Sequence, residues 1–251
     1  MILYGYRVPM MASLLIWAVV WEIVGQFDLT MMVPPLSNVL VRMAEIVPTP
    51  SFLDALWITG RTFLLGNLIA VACGVPLGVL MGRSVLADRI LLPWVNLFLS
   101  APLTALVPVI MVIFGFGETT IVLTVVLFAV WIIVLDTRAG IRNMTPSLVE
   151  MARCYGASEA QAFAKIYLWA ALPEILTGIR LGFIRAVKGV VIGQLLVSIV
   201  GFGRLFEIYS SNFLMEHFWA LILVLFFFAF VIAEALGHLE RRVEYYAATR
   251  H

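Results

Sequence analysis

Long apolar runs, broken by charge or by Pro and Gly, recur along the whole chain. The first covers 10–27 and the second 62–82, each near the roughly 20 residues that cross a hydrocarbon layer. A third, 90–114, holds Pro93, Pro102 and Pro108; a membrane bundle tolerates these because neighbouring helices satisfy the freed carbonyls. The fourth covers 119–135. The fifth, 173–200, is interrupted by Arg180, Arg185 and Lys188 in its first half, and the sixth, 218–236, contains LILVLFFFAFVIA. This pattern predicts an all-α membrane protein of six transmembrane helices with both termini on one side. Between the first two runs, 33–47 reads as a Pro-led turn with Ser37 as a helix cap. Leu36, Leu40, Met43 and Val47 then recur at helical spacing, predicting a short amphipathic helix on the outer membrane surface.

Composition narrows the class. Of 251 residues, 63% are apolar and 12% charged, with a mean hydropathy of +1.06, whereas soluble domains are ~45–50% apolar. Lys plus Arg (16) nearly balance Asp plus Glu (15), leaving no bulk charge for nucleic acid. Placement is more informative. With the N-terminus inside, Arg7, Arg83, Arg89, Arg138, Arg142, Arg153, Lys165, Arg241, Arg242 and Arg250 fall in inner segments, and Arg42, Arg61 and Arg204 in outer ones. That bias predicts cytoplasmic termini. Glu22, late in the first run, and the lack of a small-residue cleavage site predict a retained span rather than a signal peptide. Cys73 lies in an apolar run and Cys154 in a polar loop, so no disulfide is expected.

The stretch 136–172 is the longest and most polar loop. Ser147 with Glu150 three residues on reads as a capping box beside Pro146, and Leu148, Ala152 and Tyr155 fall on one helix face. Gly156 is placed to take the left-handed conformation that ends a helix. Ser158 and Gln161 form a second box, followed by Phe163, Ile166, Tyr167 and Ala170 at i, i+3, i+4 and i+7. The loop thus reads helix, Gly turn, helix. Both helices have an apolar face but are too polar for lipid. That face is covered by another protein in one reading, and by the mouth of the chain's own bundle in the other.

Within this loop, EMARCYG, nine further residues, Ile166 and then LWAALP resemble the EAA loop of membrane subunits of binding-protein-dependent ABC importers. Glu150, Ala152, Gly156, Ile166 and Leu168 match in place; Met151 stands for one Ala and Trp169 for the usual Pro, while a second Leu-Pro survives as Leu172 and Pro173. APLTALVPVIMVIFGFGE before the loop and ALPEILTGIRLGFIRAVKGVVIGQLL after it are similar to the sulfonate, taurine and nitrate permease branch. The resemblance implies a non-enzymatic, multi-pass permease subunit of the bacterial inner membrane. Residues 51–251 would form the ABC importer-type core, 1–50 a first span with the outer segment, and 137–172 the coupling loop. Glu150, Ala152 and Gly156 are then motif positions, and Ala157, Ser158 and Glu159 sit where a separate ABC ATPase subunit is contacted. A periplasmic or extracellular solute-binding protein, a permease homodimer and a small anionic solute are implied as well. No cofactor is implied for the chain itself, because ATP is bound by the separate subunit. Members of the branch often carry Glu where Gln194 stands, so their solute identity does not transfer.

Missing motifs agree with this picture. Neither Lys165 nor Lys188 follows a Gly, so no P-loop is present to cradle ATP phosphates. His217, His238 and His251 are scattered, and no H-E-x-x-H, G-x-S-x-G or C-x-x-C pattern occurs; neither a catalytic nor a metal site is expected. Inside the spans, a charge at the helix centre exposed to lipid costs about 2.5 kcal/mol or more. At ~100° per residue, Arg180, Arg185, Lys188 and Gln194 share one half of the fifth span, the half expected to line a translocation pathway. Arg180 and Arg185 are near enough to the inner surface to snorkel, while Lys188 and Gln194 sit deeper. Asn96, Asn67 and Glu22 are further polar positions, suited to the pathway or to interhelical hydrogen bonds. Gly74, Gly78 and Gly82, with Gly189 and Gly193, make smooth ridges for close approach within a subunit or across a dimer. The competing class is a self-sufficient secondary carrier or channel, whose span-five cations hold substrate and whose loop is structural, although no internal repeat accompanies it.

Overall fold

A computed structural model describes residues 2–3, 6–7, 10–27, 32–197 and 199–248, with side chains for 12–27, 32–197, 199–232, 234, 235 and 237. The cations Arg7, Arg241, Arg242 and Arg250 and the imidazoles of His238 and His251 lie outside the described side chains. Apart from a two-residue ladder, Ile2–Leu3 against Tyr6–Arg7, the described chain is helical. Its elements are α1 (Met10–Gln26), α2 (Leu36–Ile46), α3 (Pro50–Arg83), α4 (Val85–Ser100), α5 (Val107–Phe114), α6 (Glu118–Arg142), α7 (Pro146–Cys154), α8 (Glu159–Ala162), α9 (Leu168–Ala170), α10 (Leu172–Val197), α11 (Gly201–Ser211) and α12 (Met215–Ala248). Among the described residues α3, α6 and Met215–Ile232 of α12 are long and apolar enough to cross a membrane, or five units if each of two bent helix pairs counts once. The apolar part of α1, Ala12–Gln26, is shorter than these.

The second apolar run belongs to a longer rod than 62–82. Thr49 caps α3 by accepting from the Phe52 N–H, and Pro50 occupies the first turn, where its missing N–H is no loss. The helix then runs 34 residues, about 50 Å at 1.5 Å per residue. Ser84 both closes α3 and caps α4 through the Ala87 N–H at 3.2 Å, so the two helices turn on a single residue.

The third run, by contrast, is not one straight helix. A 3-10 turn, Leu103–Leu106, follows α4, and the unit that ends in α5 sets off at 96° to α4. Pro102 causes the break: it has no N–H to continue the ladder and pushes Ala101 into extended backbone, φ −70° and ψ 148°. Pro93 is carried inside α4 and Pro108 lies in the first turn of α5.

At the centre, α6 is held between α3 and α10, and glycine ridges on both partners allow the approach. Gly66, Gly74, Gly78 and Gly82 of α3 face Val125, Ile133, Thr137 and Ile141, while Gly182, Gly189 and Gly193 of α10 face Ile133, Phe128 and Thr124. These ridges therefore serve packing within the subunit. Phe63, Ile121, Val125, Ile133 and Val190 form the buried centre of this three-helix layer.

The outer segment differs from its expected register. In α2 the packed stripe is Val39, Met43 and Ile46, set against Phe206 and Leu221 of α11 and α12, whereas Leu40 and Val47 are exposed. Packing against two helices rather than lipid selects that stripe. Ser37 is not the cap: Pro35 holds that position. The Ser37 N–H and Oγ both donate to the Glu22 carboxylate at 2.8 Å, so α1 supplies the acceptor for the start of α2. Trp21 Nε1 donates to the Pro34 carbonyl at 3.1 Å and its ring meets Trp219 edge-on. Asn67 turns inward on its own helix, donating to the Phe63 carbonyl at 2.9 Å, rather than bonding a neighbouring one. Both cysteines are free and exposed.

Candidate functional site: an elbow and a groove

The loop after α6 folds as helix, Gly turn, helix. Pro146 starts α7, because its ring fixes a helical φ and leaves Thr145 extended, and no side chain caps this end. The Ser147 box is therefore absent, and Glu150 is exposed. At the other end the Gly156 N–H donates to the Arg153 carbonyl at 2.9 Å and the Ala157 N–H to the Ala152 carbonyl at 3.0 Å. This pattern needs a left-handed residue, and Gly156 has φ +66°. Tyr155 is 86% exposed, off the packed face where the sequence pattern put it, because as the C-cap residue it has left the helical repeat.

The second half opens as its sequence predicts. Ser158 Oγ accepts from the Gln161 N–H, and Gln161 Oε1 accepts from the Ser158 N–H at 3.0 Å, a complete capping box. Beyond α8 the helix widens into a π-turn, Phe163–Tyr167, before α9. Between the two halves, Ala152, Ala162 and Tyr167 are buried together with Met144, Val149 and Ile166 against them. Ala152 is small because α8 lies on it. Glu150, Gly156, Ser158 and Glu159 face outward and Ala157 is half-buried. The elbow thus has a packed inner seam and a free outer face.

Its base is tied to the bundle. The Arg83 guanidinium at the end of α3 lies 4.5 Å from the Phe163 ring centroid, a cation–π contact. Ile141, Ala171 and Ile175 form a small core at the root of the loop. Beside it stands a cluster that sequence reasoning missed: Asp88, 5% exposed, accepts from both Arg138 and Arg142. The arginines are four residues apart on one face of α6, a spacing visible in the sequence only if α6 is carried past Leu135. At the other end of α3, Arg42 bridges Glu216 at 2.9 Å and Glu45 at 2.8 Å. Those two carboxylates, Glu216 foremost, hold its guanidinium pKa above the usual arginine value.

The structure separates the span-five candidates. Gln194 is 1% exposed; its Nε2 donates to Thr59 Oγ1 at 2.8 Å, and Gly201 and Gly203 at the start of α11 press on it so closely that a Cβ on Gly201 would meet Nε2 at 2.5 Å. It joins α3, α10 and α11. Lys188 instead is exposed and lines a groove of about 700 Å3 between α10 and α12. Arg185 is half-buried and acts electrostatically on Asp136 of α6. Asn96 is exposed on α4 and does not line the groove.

A helical fold with membrane-length apolar rods and an elbow of two short helices about a Gly turn is that of a multi-helix membrane protein. The chain belongs to the family described as binding-protein-dependent transport system inner membrane component, whose family model matches residues 74–245. It is similar to the taurine transport system permease protein TauC of Escherichia coli K12, 29% identical over 92% of this chain and 86% of that one. It is also similar to the putative aliphatic sulfonates transport permease protein SsuC of Bacillus subtilis 168, at 30% over 80% and 73% respectively. Its fold is similar to a chain of the MetNI methionine ABC transporter solved in inward-facing conformations, with TM-score 0.64 and 22% identity over 77% of this chain and 96% of that one. The protein is thus a permease component of multi-pass membrane type and not an enzyme.

Proposed function

We propose that the chain is the translocation subunit of an ABC importer: two copies form the pathway, a separate ATPase docks on the elbow and holds the ATP, and a solute-binding protein delivers a small anionic solute from outside. The solute is of the sulfonate, taurine or nitrate kind, in line with what TauC and SsuC are named for. In this reading the chain crosses a bacterial inner membrane six times with both termini cytoplasmic. The bent α4–α5 unit and α10 with its continuation each count as one crossing, and α1 is the sixth. Residues 1–50 are the peripheral part and 51–251 the permease core, with 137–172 as the coupling loop. Arg83, Arg138 and Arg142 gather at the loop end of the bundle, which fits a cytoplasmic loop by the excess of positive charge.

One observation carries the reading. The elbow is braced by the Gly156 turn and the Ser158 box, yet Glu150, Gly156, Ser158 and Glu159 remain uncovered by the chain itself. A stiff element with an open face can receive a rigid-body push. Gly156→Pro is incompatible with φ +66° and removes the N–H that closes α7. The variant is expected to insert in the membrane normally but to lose the ATPase in a pull-down. Normal association would refute the docking site. Transport by the purified chain without ATP would instead favour the self-sufficient carrier.

A further inference from the structure

We infer that the π turn Phe163–Tyr167 is the moving joint of the elbow, and that Phe163 at its head passes the elbow's movement to the Arg83 end of α3. The inference rests on the reading that an ATPase pushes the elbow. Residues 157–172 contain neither Gly nor Pro and are rich in Ala, so local preference favours an unbroken α-helix. The helix widens all the same. The Leu168 N–H donates to the Phe163 carbonyl, five residues back, and the ordinary step of four returns with the Ala171 N–H on the Tyr167 carbonyl at 3.0 Å. Such turns are rare, so contacts outside this one must hold it open. Those contacts lie in the seam. Ala162 and Tyr167 are both buried there beside Ala152 of α7, although positions five apart in an α-helix stand about 140° from each other. The wider turn brings the two toward one face. Drawing α7 away from α8 removes the reason for the π turn, and the stretch relaxes to α.

Phe163 stands where this change is felt beyond the elbow. Of the side chains in the seam and in the small core at the loop root, Phe163 and Met144 are common to both, and that core also takes in Val75 and Val79 of α3. Arg83 is the last residue of α3 and lies over the Phe163 ring, just before Ser84 turns the chain into α4. Taking up the extra residue of the turn rotates one side of the joint against the other by up to about 100°, and Phe163, the first residue of the turn, leaves the guanidinium. Ala164 and Lys165 are exposed, which leaves room on the outer side for that rotation. The contact is separate from the Asp88 pair, which joins α6 to α4.

The test is hydrogen exchange, read by mass spectrometry, on the full-length chain with its ATPase in nanodiscs, compared without nucleotide and after trapping with MgATP and vanadate. Two segments are followed, 163–168 in the joint and 79–83 at the end of α3. Both are expected to exchange at different rates in the two states, the second by about two- to fivefold, as making or breaking one exposed cation–π contact allows. Phe163→Leu, which keeps an apolar side chain in both clusters, and Arg83→Gln should each abolish the response of 79–83 while that of 163–168 persists. Arg83→Lys should retain it, since an ammonium is also drawn to a ring face. Phe163→Leu combined with Arg83→Gln should behave as either change alone, the mark of two groups acting as one contact. Unchanged exchange of 163–168 between the states, a surviving α3 response in Phe163→Leu, or loss of the ATPase from Phe163→Leu in a pull-down would each overturn the inference, the last by placing the ring in the docking face. If the unaltered chain recruits the ATPase and these results fail, only this inference falls; if it never recruits one, the reading beneath it falls as well.

Discussion

Two helix ends in this protein close with the same bonds on different residues. At α7 the pattern turns on Gly156, φ +66°, and at α11 on Phe213, φ +54°, where the Phe213 N–H donates to the Ser210 carbonyl at 3.2 Å and the Leu214 N–H to Tyr209 at 2.8 Å. An L side chain in this region costs about 1–2 kcal/mol, and Phe213, 71% exposed, recovers little of it by burial. Phe213→Gly is therefore expected to stabilise the chain by up to about 1 kcal/mol after the added freedom of the unfolded state is counted, a rise of about 2–4 °C in the unfolding midpoint. Gly156→Ala should lower it by a similar amount, although nothing lies within 4 Å of the added Cβ. Fluorescence-detected thermal unfolding of both variants reads the sign directly; a fall for Phe213→Gly would show that the ring is held by something outside this chain. Gly156 was legible in the sequence because Gly after a capped helix has few other uses. Phe213 was not, since nothing in its side chain announces a left-handed backbone.

Among the elements, α3 tests what a glycine does in a rod. Gly60 has open space around its Cβ position, whereas a Cβ on Gly78 would stand 2.6 Å from Thr137 Cβ and 2.7 Å from the Val134 carbonyl oxygen of α6. Gly60→Ala should stabilise the purified chain by about 0.5–1 kcal/mol, the helix-propensity gain alone. Gly78→Ala must push α3 from α6 and should cost about 1–3 kcal/mol. Equal effects in thermal unfolding would mean that the ridge is not a contact. Spacing alone disclosed both ridges but not that they grip one central helix from two sides, because periodicity fixes a face and says nothing of its partner. The same limit explains α2, where two apolar stripes sharing Met43 competed and the neighbours chose the one with Val39 and Ile46. It also explains the broken third span: hydropathy measures the solvent a segment prefers, while the bend at Pro102 is a backbone event inside an unbroken apolar run.

For the whole molecule, the proposed coupling requires that a push on the elbow reach the rest of the bundle. The elbow joins α6 through 143–145 and is seated at its root on Ile141 and Ala171, and α6 is locked to α3 and α10 along their ridges. Towards α4 the connection is narrower: Asp88, in the first turn of α4, is clamped by Arg138 and Arg142 in the last turns of α6. Beyond it the chain bends by 96°, and the clamp is the ion-paired link of α4 to the helix that carries the elbow, beside the apolar contact of Val95 with Val134 and the stacked rings of Phe98 and Trp131. Removing one partner of a well-buried ion pair costs about 3–5 kcal/mol; Arg142 is 34% exposed and stays partly hydrated, so Asp88→Asn should fall at or below the low end, about 2–3 kcal/mol. Because the elbow itself is untouched, the ATPase should still associate and hydrolyse ATP. What should fall is solute carried per ATP hydrolysed, by about tenfold if the lost restraint is worth the ~1.4 kcal/mol of one decade in a coupling equilibrium. Proteoliposomes holding the complete assembly give both quantities in one experiment. Asp88→Glu, which keeps the charge, should recover most of the ratio, and an unchanged ratio in Asp88→Asn would mean that α4 follows α6 through apolar packing alone.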